Sequence, residues 1–198
     1  MKKIILMISI FFIGLNIVNA NEIVKFAACS DGDTFNAYID GEKERVRLLA
    51  VDAPETEKQN KEAEYYANEA SEYTCKKIKK AKKIVLEYDP NSDKLDKYNR
   101  VLAWVFLDGE LLQSALVENG YAKVAYLYDD YKYADILIQE QELASAKGIG
   151  IWDNQAKEAY EANHDEVNNN DEKYENYEVL IITIGLLIMT FLASRIRK

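Results

Sequence analysis

Histidine is nearly absent from this sequence of 198 residues, and its one histidine, His164, lies in a polar stretch near the C-terminal end. Residues 21–152 therefore contain no imidazole at all. Zinc sites and proton-transfer mechanisms near neutral pH rely heavily on imidazole groups. This lack argues against a zinc centre and against histidine-dependent catalysis, and it directs attention to carboxylates and arginines.

Positive charge is also in deficit, with 34 acidic and 25 basic residues and a net charge of −9. Residues 153–178 contribute −7 and the two ends contribute +5 together, so residues 21–152 carry −7. Nonspecific affinity for nucleic acid comes largely from lysine and arginine. This excess of acidic residues argues against a protein that binds nucleic acid nonspecifically through a broadly basic surface. The run KKIKKAKK at 76–83 and a few arginines supply only local positive charge.

The longest apolar runs lie at the two ends of the chain. Residues 1–20 combine two lysines, an apolar run and a small residue, Ala20, which predicts a secretory signal peptide. An uncleaved N-terminal anchor is the alternative. Residues 179–194 contain no charge and no polar face, unlike a buried soluble helix, and they would span about 24 Å as a helix. We expect a transmembrane helix there, followed by a basic cytoplasmic tail at 195–198.

A polar, acidic and asparagine-rich segment precedes that run. Residues 153–178 hold nine acids and two lysines and little apolar material, which predicts a flexible or loosely helical stalk. Residues 21–152 remain as one domain. If the signal and anchor assignments hold, this domain lies outside the cytoplasm, in an extracellular or periplasmic position, and is tethered to the membrane.

Secondary-structure patterns in the domain predict an α+β fold that is mainly β. The order is three strands, one long helix, two strands and then helices. Strands are predicted at 23–29, 33–39, 45–51, 83–89 and 100–108, and helices at 58–80, 111–120 and 131–147. Five short strands with a helix between the third and fourth favour a Greek-key barrel of the OB type with about three helices.

Charged residues of both signs interrupt the apolar strands between residues 31 and 55. Such groups are costly to bury unless they are paired or bind a ligand. Carboxylates such as Asp33 and Asp52 are ligands for Ca²⁺, Mg²⁺ or Mn²⁺. Glu55 is placed to accept a proton from water. Arg47 and Arg100 are suited to two-point hydrogen bonding with a phosphate.

The motifs DGDT, RLLAVDAPE, DKYNR and AKVAYLY resemble, in order and spacing, those of the staphylococcal nuclease (thermonuclease-like) family over about residues 23–152. The resemblance implies an OB barrel that cleaves DNA, preferably single-stranded or loosened, and RNA to products ending in a 3′-phosphate. It implies Ca²⁺ held by Asp33, Asp52 and the Ala53 carbonyl. Glu55 would orient or deprotonate water.

The same resemblance assigns the remaining site residues. Arg47 and Arg100 would bind the scissile phosphate, and the substrate-binding residues would be Tyr98, Tyr126 and Lys97. Asn99 stands where the family usually has glycine, and asparagine tolerates the left-handed conformation that this turn needs. The acidic charge of the domain also departs from the basic character of secreted relatives.

Two alternatives remain open from the residues alone. A non-catalytic OB module that binds nucleic acid or protein competes with the nuclease, although all five proposed catalytic and metal-binding side chains are present. The two cysteines, Cys29 and Cys75, are predicted to form a disulfide in an oxidising compartment, with two separate buried thiols as the alternative.

Overall fold

The computed structural model describes residues 21–57, 61–164 and 183. Its strands, in chain order, are β1 (Glu22–Cys29), β2 (Thr34–Ile39), β3 (Glu42–Leu48), β4 (Val51–Asp52), β5 (Ile84–Glu87), β6 (Val101–Leu107), β7 (Glu110–Leu111) and β8 (Lys123–Val124). Five of these agree with the predicted strands. The three short ones, β4, β7 and β8, carry no recognisable pattern of their own.

The five long strands close into a barrel in the order β3-β2-β1-β5-β6. Neighbours along this order are antiparallel, and the closing pair, β3 with β6, is parallel, with Val46 opposite Val101. Closure removes the free edges that would otherwise expose unpaired backbone groups. The predicted α+β barrel is confirmed, and its architecture is consistent with the OB fold.

Alternating apolar residues fill the barrel. Phe35, Val46, Leu48 and Trp104 are each at most 1% exposed, and they come from β2, β3 and β6. Burying a side chain of this size contributes roughly 1.5–3 kcal/mol. These residues hold together the strand ends that carry the charged groups described below.

Within residues 61–164 the structure has four α-helices, which pack around the barrel: α1 (Ala67–Lys80), α2 (Leu112–Glu118), α3 (Ala134–Ala146) and residues 154–164, which we call α4. The prediction that α1 begins near residue 58 was wrong. Residues 61–66 are not helical, and Tyr66 has a left-handed φ of 70° at the start of the helix. The helix propensity of these residues favours a helix, but Glu64 instead forms two hydrogen bonds with Glu55, and these hold residues 61–66 in a non-helical conformation.

The predicted Cys29–Cys75 disulfide is present. It joins the end of β1 to α1, with the two Cα atoms 5.5 Å apart and 46 residues of separation along the chain. The bridge therefore fixes α1 next to the turn at residues 31–34.

A backbone contact fixes the chain just before α4. Gly120 and Gly150 both have positive φ, and a Cβ atom on either glycine would collide with backbone atoms of the opposite segment. The Ile151 amide also donates a hydrogen bond of 2.9 Å to the Gly120 carbonyl. Only glycine permits this approach, because the obstacle is backbone and cannot rotate away.

The predicted signal peptide, residues 1–20, lies outside the described residues. So do the tail, residues 165–178 of the stalk and, apart from Thr183, the predicted transmembrane segment. Among the helices that the structure describes, none has the length and apolar character needed to cross a membrane.

Candidate active site

Arg47 lies at the centre of a buried charged cluster. Its Nη2 atom is 3.0 Å from Asp33 Oδ2 and 3.3 Å from Asp52 Oδ1, while Nη1 donates to the Leu48 and Val51 carbonyl oxygens at 2.8 and 2.7 Å. The guanidinium is thus held from four sides and is only slightly exposed. Its orientation is set before any ligand arrives.

Asp33 reaches Arg47 because the preceding residue is glycine. A Cβ atom at Gly32 would lie 2.6 Å from the Ala53 Cβ and 3.1 Å from the Ala70 Cβ, so a side chain there would push the turn away from β4 and α1. Thr74 of α1 donates a hydrogen bond of 2.6 Å to the Gly32 carbonyl. The close approach places Asp33 directly beside the segment that carries Ala53.

Both carboxylate oxygens of Asp33 accept hydrogen bonds. Oδ1 accepts from the Thr34 hydroxyl at 2.9 Å, and Oδ2 accepts from the Ala53 amide at 3.0 Å. Burial nevertheless raises the pKa of Asp33 above its ordinary value, although Arg47 and these two donors act in the opposite direction. The carboxylate is therefore desolvated, and additional positive charge close to it would be favourable.

Asp52 connects the cluster to the protein surface. It lies on β4, opposite Lys123 of β8, and its Oδ2 atom is 3.3 Å from Lys123 Nζ. Its Oδ1 atom accepts a hydrogen bond of 3.3 Å from the Tyr126 hydroxyl. Burial, followed by the charge of Asp52, raises the pKa of Tyr126, so this phenol remains protonated and can donate.

Arg100 lies on a separate turn just before β6. Asp96 Oδ1 accepts from the Tyr98 and Arg100 amides at 2.9 Å each, and Asp96 Oδ2 accepts from Arg100 Nε at 2.6 Å. Asn99 adopts a φ of 58°, which confirms that asparagine takes the left-handed conformation here. The exposed Tyr98 ring lies under both Arg100 and Lys97, at 5.4 and 5.0 Å from their charged ends to the ring centroid.

Glu55 follows β4 and is tied to the segment before α1. The Glu55 amide donates to Glu64 Oε2 at 3.1 Å, and the Glu64 amide donates back to the Glu55 carbonyl at 3.0 Å. This reciprocal pair fixes the backbone of Glu55. It also explains why residues 61–66 do not join the helix.

One cleft of about 1180 Å³ brings most of the predicted residues together; its walls include Arg47, Asp52, Glu55, Lys97, Tyr98, Arg100 and Tyr126. Asp33 does not line this cleft but lies buried behind Arg47. Ala53 lines a second, smaller cleft on the other side of Asp52. The arrangement offers arginines, carboxylates and several aromatic rings to one ligand.

The fit of a divalent cation can be judged from the donor chemistry. Asp33 and Asp52 both lie within 3.3 Å of the same Arg47 nitrogen, so two hard carboxylates converge, as a Ca²⁺ site requires. Among the described residues there is no group of three or more His, Cys, Asp or Glu side chains that forms a fuller cage. The donors therefore suit a cation that keeps several water ligands.

Two contributing residues were missed by the sequence reasoning. Asp96 orients Arg100. The sequence signal for this role was its place at the start of the DKYNR motif, four residues before Arg100. Lys123 pairs with Asp52 across β4 and β8, strands too short to be recognised from their pattern. Such a pair becomes visible only when the fold brings the two strands together.

Fold and site together define an OB-like barrel whose cleft combines guanidinium groups, carboxylates and exposed aromatic rings, a set suited to phosphate-containing ligands. Comparison with protein families gives the particular assignment. The sequence model of the family described as "Staphylococcal nuclease homologue" matches residues 45–154, and the chain belongs to this family. The predicted class, a nuclease-type hydrolase domain, is confirmed at the level of family.

Relatives with assigned names are similar over much of this chain. Thermonuclease of Staphylococcus hyicus is 36% identical over 137 residues, which cover 69% of this chain and 79% of that relative. Endonuclease YncB of Bacillus subtilis is 39% identical over 123 residues, covering 62% of this chain and 57% of that relative. The SPbeta prophage-derived endonuclease YokF of the same organism is 37% identical over 123 residues, covering 62% and 41%. The chain thus matches only about half the length of the two B. subtilis proteins.

Proposed function

We propose that this chain is a Ca²⁺-dependent nuclease that hydrolyses phosphodiester bonds of DNA and RNA and leaves 3′-phosphate ends. The observation that carries the proposal is the shared cleft, in which Arg47, Glu55 and Arg100 face one volume while Asp33 lies behind them. Membership of the nuclease family and the names of the relatives support it.

Each side chain has a role that its environment allows. Arg47 and Arg100 would hold the scissile phosphate by paired N–H donors and stabilise the charge that grows on it. Glu55 would take a proton from the attacking water. Tyr126, which already donates to Asp52, and Tyr98, which is exposed, would contact the nucleotide on either side.

The metal would be held by Asp33 and Asp52, with the Ala53 carbonyl as a further oxygen donor. When bound, Ca²⁺ would supply electrostatic stabilisation of the phosphoryl oxygen and help to activate water. The two carboxylates are shared with Arg47 and Lys123. These cations keep the anionic pair stable within the fold.

The proposed location is outside the cytoplasm, with the domain tethered to the membrane by residues 179–194. The composition of the two ends supports this. Nuclease activity should remain with the membrane fraction after a carbonate wash, and protease added to spheroplasts should reach the domain. A protein that washes off freely, or that is protected from external protease, would contradict the topology.

The nuclease proposal is tested on the full-length protein with denatured DNA and with RNA, in Ca²⁺ and in EDTA. We expect cleavage only with Ca²⁺, products whose 3′ ends are removed as phosphate by a phosphatase, and no cleavage by Glu55→Gln. Binding of DNA without cleavage would instead support the non-catalytic module. Full activity in EDTA would refute the role of the metal.

A further inference from the structure

Helix α4 begins where the family match ends, yet it contacts the segment that holds Glu55. The match stops at residue 154, and α4 runs from 154 to 164. Asp153 caps its first turn, since Asp153 Oδ1 accepts from the Ala156 amide at 3.0 Å. The backbone contact at Gly120 fixes the chain immediately before it. Its start is therefore anchored to the body of the domain.

Tyr160 connects α4 to the segment that precedes α1. Its hydroxyl donates a hydrogen bond of 2.9 Å to the Ala63 carbonyl, 97 residues away along the chain. Its ring is packed against Tyr65, with centroids 5.5 Å apart, and against His164, at 4.0 Å. Tyr160 thus contacts both Ala63 and Tyr65, the two residues that flank Glu64.

That segment is the one that fixes the Glu55 backbone. Ala63 is the neighbour of Glu64, and Glu64 exchanges two hydrogen bonds with Glu55. Asp52 and Tyr160 also line the same smaller cleft, so α4 borders a cleft that the proposed metal ligand borders too. A continuous chain of contacts runs from Tyr160 through Ala63 and Glu64 to Glu55.

We infer that Tyr160 is a positioning residue for the reaction: it holds Ala63 and Glu64 in place and so keeps Glu55 oriented towards the cleft. The inference rests on the proposed function, because it assigns α4 to the catalytic unit rather than to the stalk. Tyr160 does not line the cleft that the substrate is proposed to occupy. Its effect should therefore appear in turnover and not in substrate binding.

The test compares Tyr160→Phe in the full-length protein with Tyr38→Phe. Tyr38 is an exposed residue on β2 that lines neither cleft, so it serves as the matched control. Removing one hydroxyl donor should lower kcat about three- to tenfold with unchanged KM for denatured DNA, in line with the value of one hydrogen bond. The control should behave like the wild type. Tyr160→Leu, which also removes the ring contacts, should lower kcat further.

Hydrogen exchange gives a readout that does not depend on activity. In Tyr160→Phe, the Glu55 and Glu64 amides should exchange faster, while amides of β6 and α2 should keep their wild-type rates. Unchanged exchange at Glu55 and Glu64, a uniform rise across the domain, or an unaltered kcat would each overturn the inference. A wild-type protein without any cleavage would refute the proposed function instead, and the exchange result would still decide whether Tyr160 holds the Glu55 segment.

Discussion

Arg47 and Arg100 face the same cleft, but the fold holds them by different means. Arg47 is buried where the barrel borders the cleft, with its side chain 8% exposed, between two backbone carbonyls and two carboxylates. Arg100 is 22% exposed and depends on a single turn and one carboxylate, Asp96. The first is therefore buried and fixed by several elements of the fold, whereas the second is partly exposed and fixed by one turn. The same substitution should have different effects at the two positions.

The largest effect is expected from Arg47→Leu. Removing the guanidinium leaves the buried Asp33 without an opposite charge beside it, and breaking a buried pair in this way costs about 3–5 kcal/mol of unfolding free energy. Cleavage should be lost as well. Urea unfolding monitored by tryptophan fluorescence measures the first effect.

A control and a rescue make that test specific. Arg45→Leu, two residues away on β3 and exposed, should change stability by less than about 0.5 kcal/mol. Adding Asp33→Asn to Arg47→Leu should recover part of the lost stability, because it removes the uncompensated charge. If Arg47→Leu is as stable as the wild type, the buried pair does not hold the barrel.

The next effect concerns the disulfide, which supports the Arg47 side of the cleft only. Replacing Cys29 and Cys75 together by alanine should cost about 4 kcal/mol, since the bridge closes a loop of 46 residues. Hydrogen exchange should accelerate more at residues 31–34 than at 96–100. Equal acceleration in both regions would show that the two parts of the site are not independent. Free thiols in the unreduced, denatured wild type would show that no bridge forms.

Arg47→Lys and Arg100→Lys test the phosphate contact with charge retained. Lysine cannot reproduce a planar two-point contact, so each variant should lose on the order of 10²-fold in kcat. Arg100→Lys should keep wild-type stability, because lysine can retain the ion pair with Asp96 in this partly exposed turn. Arg47→Lys should also lose some stability, since lysine cannot bond to both carbonyls and both carboxylates. If both variants cleave like the wild type, Arg47 and Arg100 do not bind the scissile phosphate and the active site lies elsewhere.

The smallest effect is expected from Asp96→Asn, which weakens only the Arg100 turn. Burial raises the pKa of Asp96, but hydrogen bonds from Arg100 and Tyr98 outweigh it and lower the pKa below 3.8. The stabilisation from this carboxylate is fully present above its unfolded pKa and is lost as pH falls through the lower folded pKa. Asp96→Asn should cost about 1 kcal/mol near neutral pH and less near pH 2, at about the value of one hydrogen bond. A difference that stays constant down to this pH would refute the assignment.

The sequence predicts the barrel well because its signals are local. Alternating apolar residues in β3 and β6 and the Asp-Gly turns define the strands before any contact is known. The grouping of Arg47, Glu55 and Arg100 at one cleft was also predictable from the sequence, since these residues lie in motifs with characteristic spacing. The start of α1 was wrong because a contact with Glu55, nine residues from Glu64, overrides helix propensity. The partners Lys123 and Tyr160 depend on long-range contacts, which no local pattern encodes.

The Gly120–Gly150 contact has a consequence for how this sequence can vary. A new side chain at either position meets the backbone of the other segment, so a second substitution at the partner position cannot make room for it. In most packed pairs, a larger side chain at one position can be accommodated by a smaller one at the other. Here such compensation is impossible. In a library that randomises both positions, the two glycines should therefore be selected independently, without the covariation that contacting side chains show.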